Sequence, residues 1–353
     1  MKLWRSPLAW TFLASVVLLA GVGGWLLTDP ATSRSDALKT GGLAGGAVVA
    51  LYALWLNDRR RRVEEGRQEI EQRRHELEAQ RAEQDRERVA DERFAKAVEL
   101  LGHTADQVRV GALHALAGLA RSRPAYTQTV LDVLCSYLRR PFSRAEDSNP
   151  EAERELTVRL TAQRLVTDLL PARDAEGPTY DLDLTGATLE YFDLSGKLVG
   201  GLLLRHATLH SSTNFSGCRF TGRVYLTAAG TAKGRLVGYF RCRGAVFESH
   251  AWFSGTAFGE DADFTETTFA GKTTFKDAKF AKDAVFSAVV ASCELDLRRT
   301  SFGGQTDLRF ASLPSAVSLY NTRVRAEKEV ELPGGWRLEE LRDGDSRIVA
   351  KAG

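Results

Sequence analysis

The sequence lacks the patterns by which most enzymes and metalloproteins are identified. It contains no phosphate-binding glycine loop, no nucleophile elbow and no His-Glu-x-x-His motif. Its four cysteines lie far apart without a Cys-x-x-Cys spacing, which argues against a metal site and indicates reduced, mostly buried thiols. We therefore predict no catalytic, cofactor-binding or metal-ligating residue, and we expect that the chain is not an enzyme.

An excess of charge of one sign is also missing. The chain has 48 basic and 46 acidic residues, so its net charge is only +2. Because no overall field attracts a polyanion, no nucleic-acid partner is expected. A chain of 353 residues is long enough for two or three folding units.

Two apolar stretches, near residues 8–27 and 37–56, are each about as long as a bilayer span. Residues 1–57 are therefore predicted to form a transmembrane helical hairpin, with the lipid bilayer as a partner. Basic residues precede the first stretch and follow the second at Arg59–Arg62. The positive-inside rule then places both termini in the cytoplasm and the protein in the plasma membrane. A cleaved signal peptide is the alternative for the first stretch.

Glycines in the second stretch form two overlapping Gly-x-x-x-Gly spacings, Gly41 with Gly45 and Gly42 with Gly46. Such spacings let helices approach each other closely. They favour packing of the two apolar helices within one chain, and they leave open a homo-oligomer through Gly41 and Gly45.

A charged segment without proline covers residues 58–93 and is predicted to be a helical stalk. Val63, Ile70 and Leu77 recur every seven residues, but the series ends there. A coiled coil needs apolar residues at both seam positions, so the pattern predicts one long helix or a weak coiled coil, which is a second route to a homo-oligomer. Helical apolar spacing returns across residues 94–171 and predicts a small α-helical bundle that caps the following region.

The C-terminal half contains a regular ladder of large apolar residues. Its rungs are alternately six and five residues apart, which gives an eleven-residue double unit. Neither the period of a strand nor that of a helix fits, whereas a solenoid that turns one corner per unit would point every rung inward. With Ala291 as a small rung, the predicted core ladder is Phe247, Phe253, Phe258, Phe264, Phe269, Phe275, Phe280, Phe286, Leu297, Phe302, Leu308, Leu313 and Leu319.

A small or β-branched residue lies two positions before nearly every rung, as Ala262 does before Phe264. A five-residue step of leucines and valine precedes the ladder in residues 184–209. We expect the small residues to fill the space beside the large ones in each coil.

The repeat register is ambiguous in residues 221–244, where either Tyr225 or Leu226 could be the rung. Residues 228–234 are predicted to form a loop that bulges from the coil. Such an interruption of a regular repeat is a candidate functional feature.

Four segments, RFAKAVELLG, VRVGALHALAGLA, TVLDVLCSYLRRPF and TAQRLVTDLL, occur in this order and are followed by DLDLTGATL. From Arg93 onward the chain resembles membrane-anchored pentapeptide-repeat proteins of actinobacteria, in their phenylalanine-rich variant. The resemblance implies a right-handed quadrilateral β-helix over residues 181–325, with a C-terminal cap or tail over 326–353. The expected fold class is multidomain α plus β, and the resemblance carries no catalytic or binding motif.

A protein of this type is predicted to be a membrane-anchored, non-enzymatic scaffold that binds a cytoplasmic protein partner. One alternative, suggested by the quinolone-resistance relatives of the family, is inhibition of a DNA-handling enzyme by mimicry. Mimicry needs a negative rod, but residues 181–325 hold 17 basic and 14 acidic residues. A membrane-acting signalling or defence effector is a further alternative.

Overall fold

The computed structural model describes residues 7–28, 34–142, 150–229, 238–314, 316–341 and 344–350. The chain divides into two compact units, Met1–Arg88 and Val89–Gly353. The first unit contains α1 (Pro7–Leu27) and most of α2 (Arg34–Leu101). The second contains the end of α2, three further helices and a β-solenoid.

In the first unit, α1 and α2 touch at Gly45. The hydroxyl of Ser15 donates a hydrogen bond to the carbonyl oxygen of Gly45 at 2.8 Å. A β-carbon at Gly45 would lie 3.2 Å from that hydroxyl oxygen and 3.4 Å from Leu19, so the missing side chain allows the close approach. Large apolar side chains of α1, among them Trp10 and Trp25, are exposed. The predicted homo-oligomer through Gly41 and Gly45 stays a prediction.

The prediction of a transmembrane hairpin, with spans at 8–27 and 37–56, is wrong. A span needs about 20 consecutive, predominantly apolar residues, and no helix in the described part of the chain combines that length with that apolar character. The second predicted span is instead the start of α2, which continues through the charged stalk as a single helix to Leu101. The predicted multi-pass localisation in the plasma membrane rested on the hairpin and is not supported either. A coiled coil in the stalk stays a prediction.

The second unit begins with a helical block. It consists of α3 (Asp106–Ser122), a 3₁₀ turn (Pro124–Tyr126), α4 (Thr127–Arg139) and α5 (Pro150–Leu169), which follow the end of α2. One face of each helix is apolar and buried, for example through Leu116, Leu134 and Leu165. Because this apolar core is continuous with that of the solenoid, the block and the solenoid fold as one body.

The solenoid has four sheets of parallel strands, one for each side of the coil, and makes about six turns. The first face contains β1 (Leu182–Asp183), β4 (Leu202–Leu203), β7 (Val224–Tyr225), β10 (Ala251–Trp252), β14 (Thr273–Thr274), β18 (Leu295–Asp296) and β21 (Val317–Ser318). The second face contains β11 (Ala257–Phe258), β15 (Lys279–Phe280), β19 (Ser301–Phe302) and β22 (Arg323–Arg325).

The remaining two faces complete each coil. The third contains β2 (Thr188–Asp193), β5 (Thr208–Asn214), β8 (Tyr239–Arg241), β12 (Ala262–Asp263), β16 (Ala284–Val285), β20 (Thr306–Asp307) and β23 (Val330–Glu331). The fourth contains β3 (Leu198–Val199), β6 (Arg219–Phe220), β9 (Val246–Phe247), β13 (Thr268–Phe269) and β17 (Val290–Ala291). In chain order the first face lies opposite the third.

Two kinds of corner explain the alternating spacing of the ladder. The five-residue steps contain a tight turn, as at 264–267, where the amide of Thr267 donates to the carbonyl oxygen of Phe264 at 3.0 Å. The third residue of that turn, Glu266, has φ 59°, as a type II turn requires. The same left-handed conformation recurs every eleven residues at Gly244, Gly255, Glu266, Asp277, Ala288 and Arg299. The other corner lacks it and contains the extra residue.

The helical block covers the first end of the solenoid, where the first coil has no preceding strand to pair with. The side-chain amide of Gln128 donates to the carbonyl oxygen of Asp181 and accepts from its amide, both at 2.9 Å. On the fourth face, the amide of Leu198 donates to the carbonyl oxygen of Pro171 at 2.9 Å. These bonds replace those that a further coil would make and protect the open edge.

Arg159 of α5 joins the helical block to the solenoid. Its side chain is almost wholly buried and donates to the carbonyl oxygens of Leu138 and of Arg140 (3.4 Å), at the end of α4, and to that of Thr188 in β2 (3.1 Å). Glu155 lies 3.9 Å from the guanidinium. Because the last carbonyls of a helix have no partner within it, one cation satisfies both the end of α4 and the edge of the first coil.

A hairpin covers the other end of the second face. Its strands are β24 (Trp336–Glu340) and β25 (Asp345–Ala350), and β25 pairs antiparallel with β22. Ile348 is fully buried, and the ring of Trp336 lies 6.1 Å from that of Phe310. The hairpin therefore extends the apolar core beyond the last coil.

Candidate functional site

The ladder residues line the interior of the solenoid. All of them from Phe247 to Leu308 have at most 2% of their surface exposed, whereas Leu313 and Leu319 are partly buried against the core. Rings on successive coils stack in columns, such as Phe258 on Phe280 at 4.5 Å and Phe280 on Phe302 at 4.9 Å between centroids. Because stacked, fully buried rings cannot contact a ligand, we look for function on the outer faces.

One coil exchanges the large and the small position. The regular pair in the next coil is Ala262 followed two residues later by Phe264, but the aligned pair is Phe240 followed by Cys242. Both Phe240 and Cys242 are buried. The Phe240 ring lies 5.2 Å from that of Phe264, so it fills the space that the small Cys242 leaves. Sequence reasoning missed this exchange, although the reversed order of sizes was visible.

Buried threonines at the small positions hold neighbouring coils together. The hydroxyl of Thr267 donates to the carbonyl oxygen of Cys242 at 2.7 Å, and that of Thr300 to the carbonyl oxygen of Phe275 at 2.9 Å. These side chains are β-branched and small enough for the corner, and each satisfies its own hydroxyl. Their role is structural.

The interruption of the repeat lies next to the first face. Val224 pairs with Ala251 in the following coil, and Ala251 in turn pairs with Thr273. The coil between Val224 and Ala251 is therefore longer than the next one by five residues. Leu226 is buried and Tyr225 points outward, which decides the register. Most of the predicted loop, from residue 230 onward, lies outside the described residues.

Two histidines, His206 and His210, lie four residues apart in the sequence. His206 is at a corner with φ 56°, and His210 is in β5. Among the described residues, no group of three or more histidines, cysteines or acidic residues could hold a metal ion. Burial raises the pKa of the Cys135 and Cys218 thiols to about 12, and Cys293 is the exposed thiol among the described cysteines.

A cleft of about 770 Å³ lies in the helical block between the start of α3 and the start of α5. Its charged groups already have partners. Arg109 binds Asp106, Glu155 and the hydroxyl of Tyr137 (3.1 Å), and that hydroxyl donates to Glu155 at 3.1 Å. Burial, with the nearby charge of Glu155, raises the pKa of Tyr137 to about 12. This network ties three helices together, and both of its carboxylates are already engaged by Arg109.

The centre of the first face, from β4 to β14, is basic. Its residues 200–206, 222–228 and 249–255 include no aspartate or glutamate, and the aligned residues 271–277 include one, Asp277. We use the name basic face for the outward side chains of this region, which are Arg205, Arg223, Tyr225, His250, Trp252, Lys272 and Lys276. At its two ends, Asp183 and Asp296 hold the outward positions of β1 and β18.

Two aromatic rings stack at the middle of the basic face. Tyr225 and Trp252 occupy paired positions on β7 and β10, with parallel rings 4.4 Å apart. The guanidinium carbon of Arg205, from the preceding coil, lies 4.2 Å from the centre of the Tyr225 ring. His250 stacks on Trp252 at 5.1 Å. The contacts between rings and with the cation hold these side chains in place on the surface.

Two cations of the basic face, Arg205 and Arg223, form no ion pair with any described residue. In contrast, Lys272 pairs with Glu294 at 2.7 Å. Lys276 forms no ion pair, but its charge lies near the carboxyls of Asp277 and Asp296. Arg205 and Arg223 are exposed. The basic face thus presents uncompensated positive charge beside two half-buried aromatic side chains.

The third face, on the opposite side of the solenoid, is acidic in its later coils. Its outward and corner positions include Asp261, Asp263, Asp283, Asp307, Glu329 and Glu331. Many of these carboxylates hold the backbone, as Asp283 does by accepting from the amide of Gln305 at 2.8 Å. Arg309 binds Asp307 and keeps the pKa of that carboxyl below its ordinary value, although burial acts in the other direction. Charge is therefore segregated between faces, although the chain as a whole is nearly neutral.

No family model, curated protein or solved structure matches this chain. The structure itself defines the class, which is a repeat protein built as a parallel β-solenoid that follows an N-terminal helical region.

Proposed function

We propose that this chain is a non-enzymatic scaffold that binds a protein partner through the outer faces of its solenoid, and that its repeats are of the pentapeptide type. The observation that carries the proposal is that each coil separates its core residues from its charged surface residues. The ladder phenylalanines fill a closed core, while short flat faces present different charges to solvent. Rigid faces of this kind suit recognition, because little conformational entropy is lost on binding.

The pentapeptide type is supported by the length of the coils. Leu182 pairs with Leu202, so the first coil is twenty positions long, which is five for each of four faces. Later coils are longer by two positions, because two of their corners contain one extra residue each. A tight turn with a left-handed residue recurs at alternate corners from Gly186 to Arg299.

DNA mimicry is the weaker candidate. A mimic of nucleic acid needs a continuous negative surface to replace the phosphates. The first face is basic at its centre, and the acidic third face carries Arg309, which pairs with two of its carboxylates. No single described face offers the uninterrupted negative charge that the mechanism needs.

Proximity labelling from the C-terminus of the full chain tests the scaffold proposal. We expect a reproducible set of enriched proteins, of which at least one binds the purified full chain directly. Its binding should be lost when charges are reversed on one face, for example by Asp263→Lys with Asp283→Lys on the third face, and kept when another face is changed. An empty set, or partners that no face variant affects, would contradict the proposal.

A further inference from the structure

We propose that the basic face binds a short, extended, acidic peptide segment of a partner protein. This inference rests on the scaffold function proposed above, and it specifies which face is used and the chemistry of the partner.

The charge of the face selects an anion. Arg205 and Arg223 are on neighbouring coils, whose strands pair about 4.8 Å apart, and neither forms an ion pair with a described residue. In the register of β4 and β7, Arg205 lies opposite Thr227 and Arg223 lies opposite Gly201, so the two arginines are at opposite ends of the paired strands. An acidic segment that crosses the face would bring carboxylates to both arginines, and those carboxylates would accept charge-assisted hydrogen bonds.

The size of the face selects a peptide rather than a folded surface. From β4 to β14 the basic face covers three coil steps, or about 14 Å. An extended chain rises about 3.3 Å per residue, so four or five residues are enough to cross it. A stable interface between folded proteins needs roughly 800 Å² on each partner. A strip one short strand wide is too small for that, and the same argument disfavours a second copy of this chain docking through its acidic face.

The aromatic stack argues against a single-stranded nucleic acid. Base recognition on such surfaces uses aromatic ring faces that are free to stack. Trp252 covers one side of the Tyr225 ring, and Arg205 covers the other. What the stack leaves outward are ring edges and the hydrogen-bond donors of Tyr225 and Trp252, which can meet carboxylates. The Arg205 guanidinium is held against Tyr225, so less of its conformational entropy is lost on binding.

The test measures binding of a fluorescein-labelled decaglutamate peptide to the purified full chain by fluorescence anisotropy at low and at physiological salt. We expect saturable binding that weakens as salt rises. The variant Arg205→Glu with Arg223→Glu should bind the peptide at least about tenfold more weakly, which is one decade in Kd. The control is Lys279→Glu with Lys282→Glu, which changes the net charge equally at exposed sites off the first face. It should change the affinity less than about twofold, because these sites are away from the peptide.

Three results would overturn the inference. The first is no saturable binding of decaglutamate, and the second is an equal loss in both double variants. The third is tighter binding of a deca-thymidylate oligonucleotide than of decaglutamate at the same salt, because the face would then be a nucleic-acid site. Circular dichroism and thermal melting of each variant show that a loss of binding is not a loss of fold. If decaglutamate binds as expected but proximity labelling finds no partner, the scaffold function fails while the chemistry of the face stands.

Discussion

Phe240→Ala and Cys242→Phe should each destabilise the fold when made alone, and the two together should restore most of the lost stability. Phe240 is buried, and its ring lies 5.2 Å from those of Phe258 and Phe264 and 5.6 Å from that of Phe215. Removing such a ring in Phe240→Ala should cost about 3–5 kcal/mol. Cys242→Phe alone adds a second ring to a filled coil and should cost about 1–3 kcal/mol.

In the double variant the small residue precedes the large one, as Ala262 precedes Phe264 in the next coil. The ring introduced by Cys242→Phe is then expected to stack on Phe264, as Phe264 stacks on Phe286 at 4.7 Å. Because the total side-chain volume of the coil is nearly kept, the double variant should lose less than about 1.5 kcal/mol. Additive losses would instead give about 4–8 kcal/mol, so the coupling energy should be at least about 2 kcal/mol.

Urea unfolding of the wild type, both single variants and the double variant, followed by far-ultraviolet circular dichroism, measures this coupling energy. A distant pair, Phe240→Ala with Phe302→Ala, is the control and should be additive within about 0.5 kcal/mol. If the Phe240 and Cys242 substitutions are also additive, Phe240 does not occupy the space that Cys242 leaves, and the reasoning fails.

Four further predictions concern individual side chains. Ala288→Gly should stabilise the fold by about 0.5–1 kcal/mol in urea unfolding, because Ala288 has φ 57°. Ala281→Gly, at an exposed position without positive φ, should destabilise it by a similar amount, and two changes of the same sign would contradict the corner geometry. Arg159→Ala should lower the free energy of unfolding by about 3–5 kcal/mol, because it leaves buried carbonyls unsatisfied. The control, Arg164→Ala at an exposed position, should lower it by less than about 0.5 kcal/mol. Equal losses in urea unfolding would show that Arg159 does not join the helical block to the solenoid. Ellman's reagent should modify one thiol, Cys293, in the native protein and four after unfolding. Because burial raises the pKa of Cys135 and Cys218 from 9.0 to about 12, stability should be unaffected by these thiols below pH 9.0 and fall as the pH rises toward 12; a flat profile there would refute their burial.

Much of the fold could be predicted from local sequence patterns. The alternating five and six residue steps indicated a solenoid, because the two kinds of corner differ by one residue and each recurs within a coil. The register around Tyr225 could not be chosen in this way, because both it and Leu226 are apolar enough to face inward. The transmembrane hairpin was predicted from length and composition alone and is not supported by the described helices.

The basic face could not be found by scanning the sequence. Arg205, Arg223 and Lys276 are separated along the chain by segments that face other directions, and the repeat region as a whole has only three more basic than acidic residues. The irregular coil shifts the alignment by five further positions, so even a strict period would have paired the wrong residues.

The coil could be predicted from local sequence, since corner spacing, small positions and buried aromatic residues are properties of neighbours along the chain. Which side chains share a face depends on the tertiary structure. Residues a whole coil apart in the sequence become neighbours about 4.8 Å apart when the strands pair. The physical reason is that backbone pairing between coils sets the alignment, and it separates basic from acidic side chains that the linear order mixes.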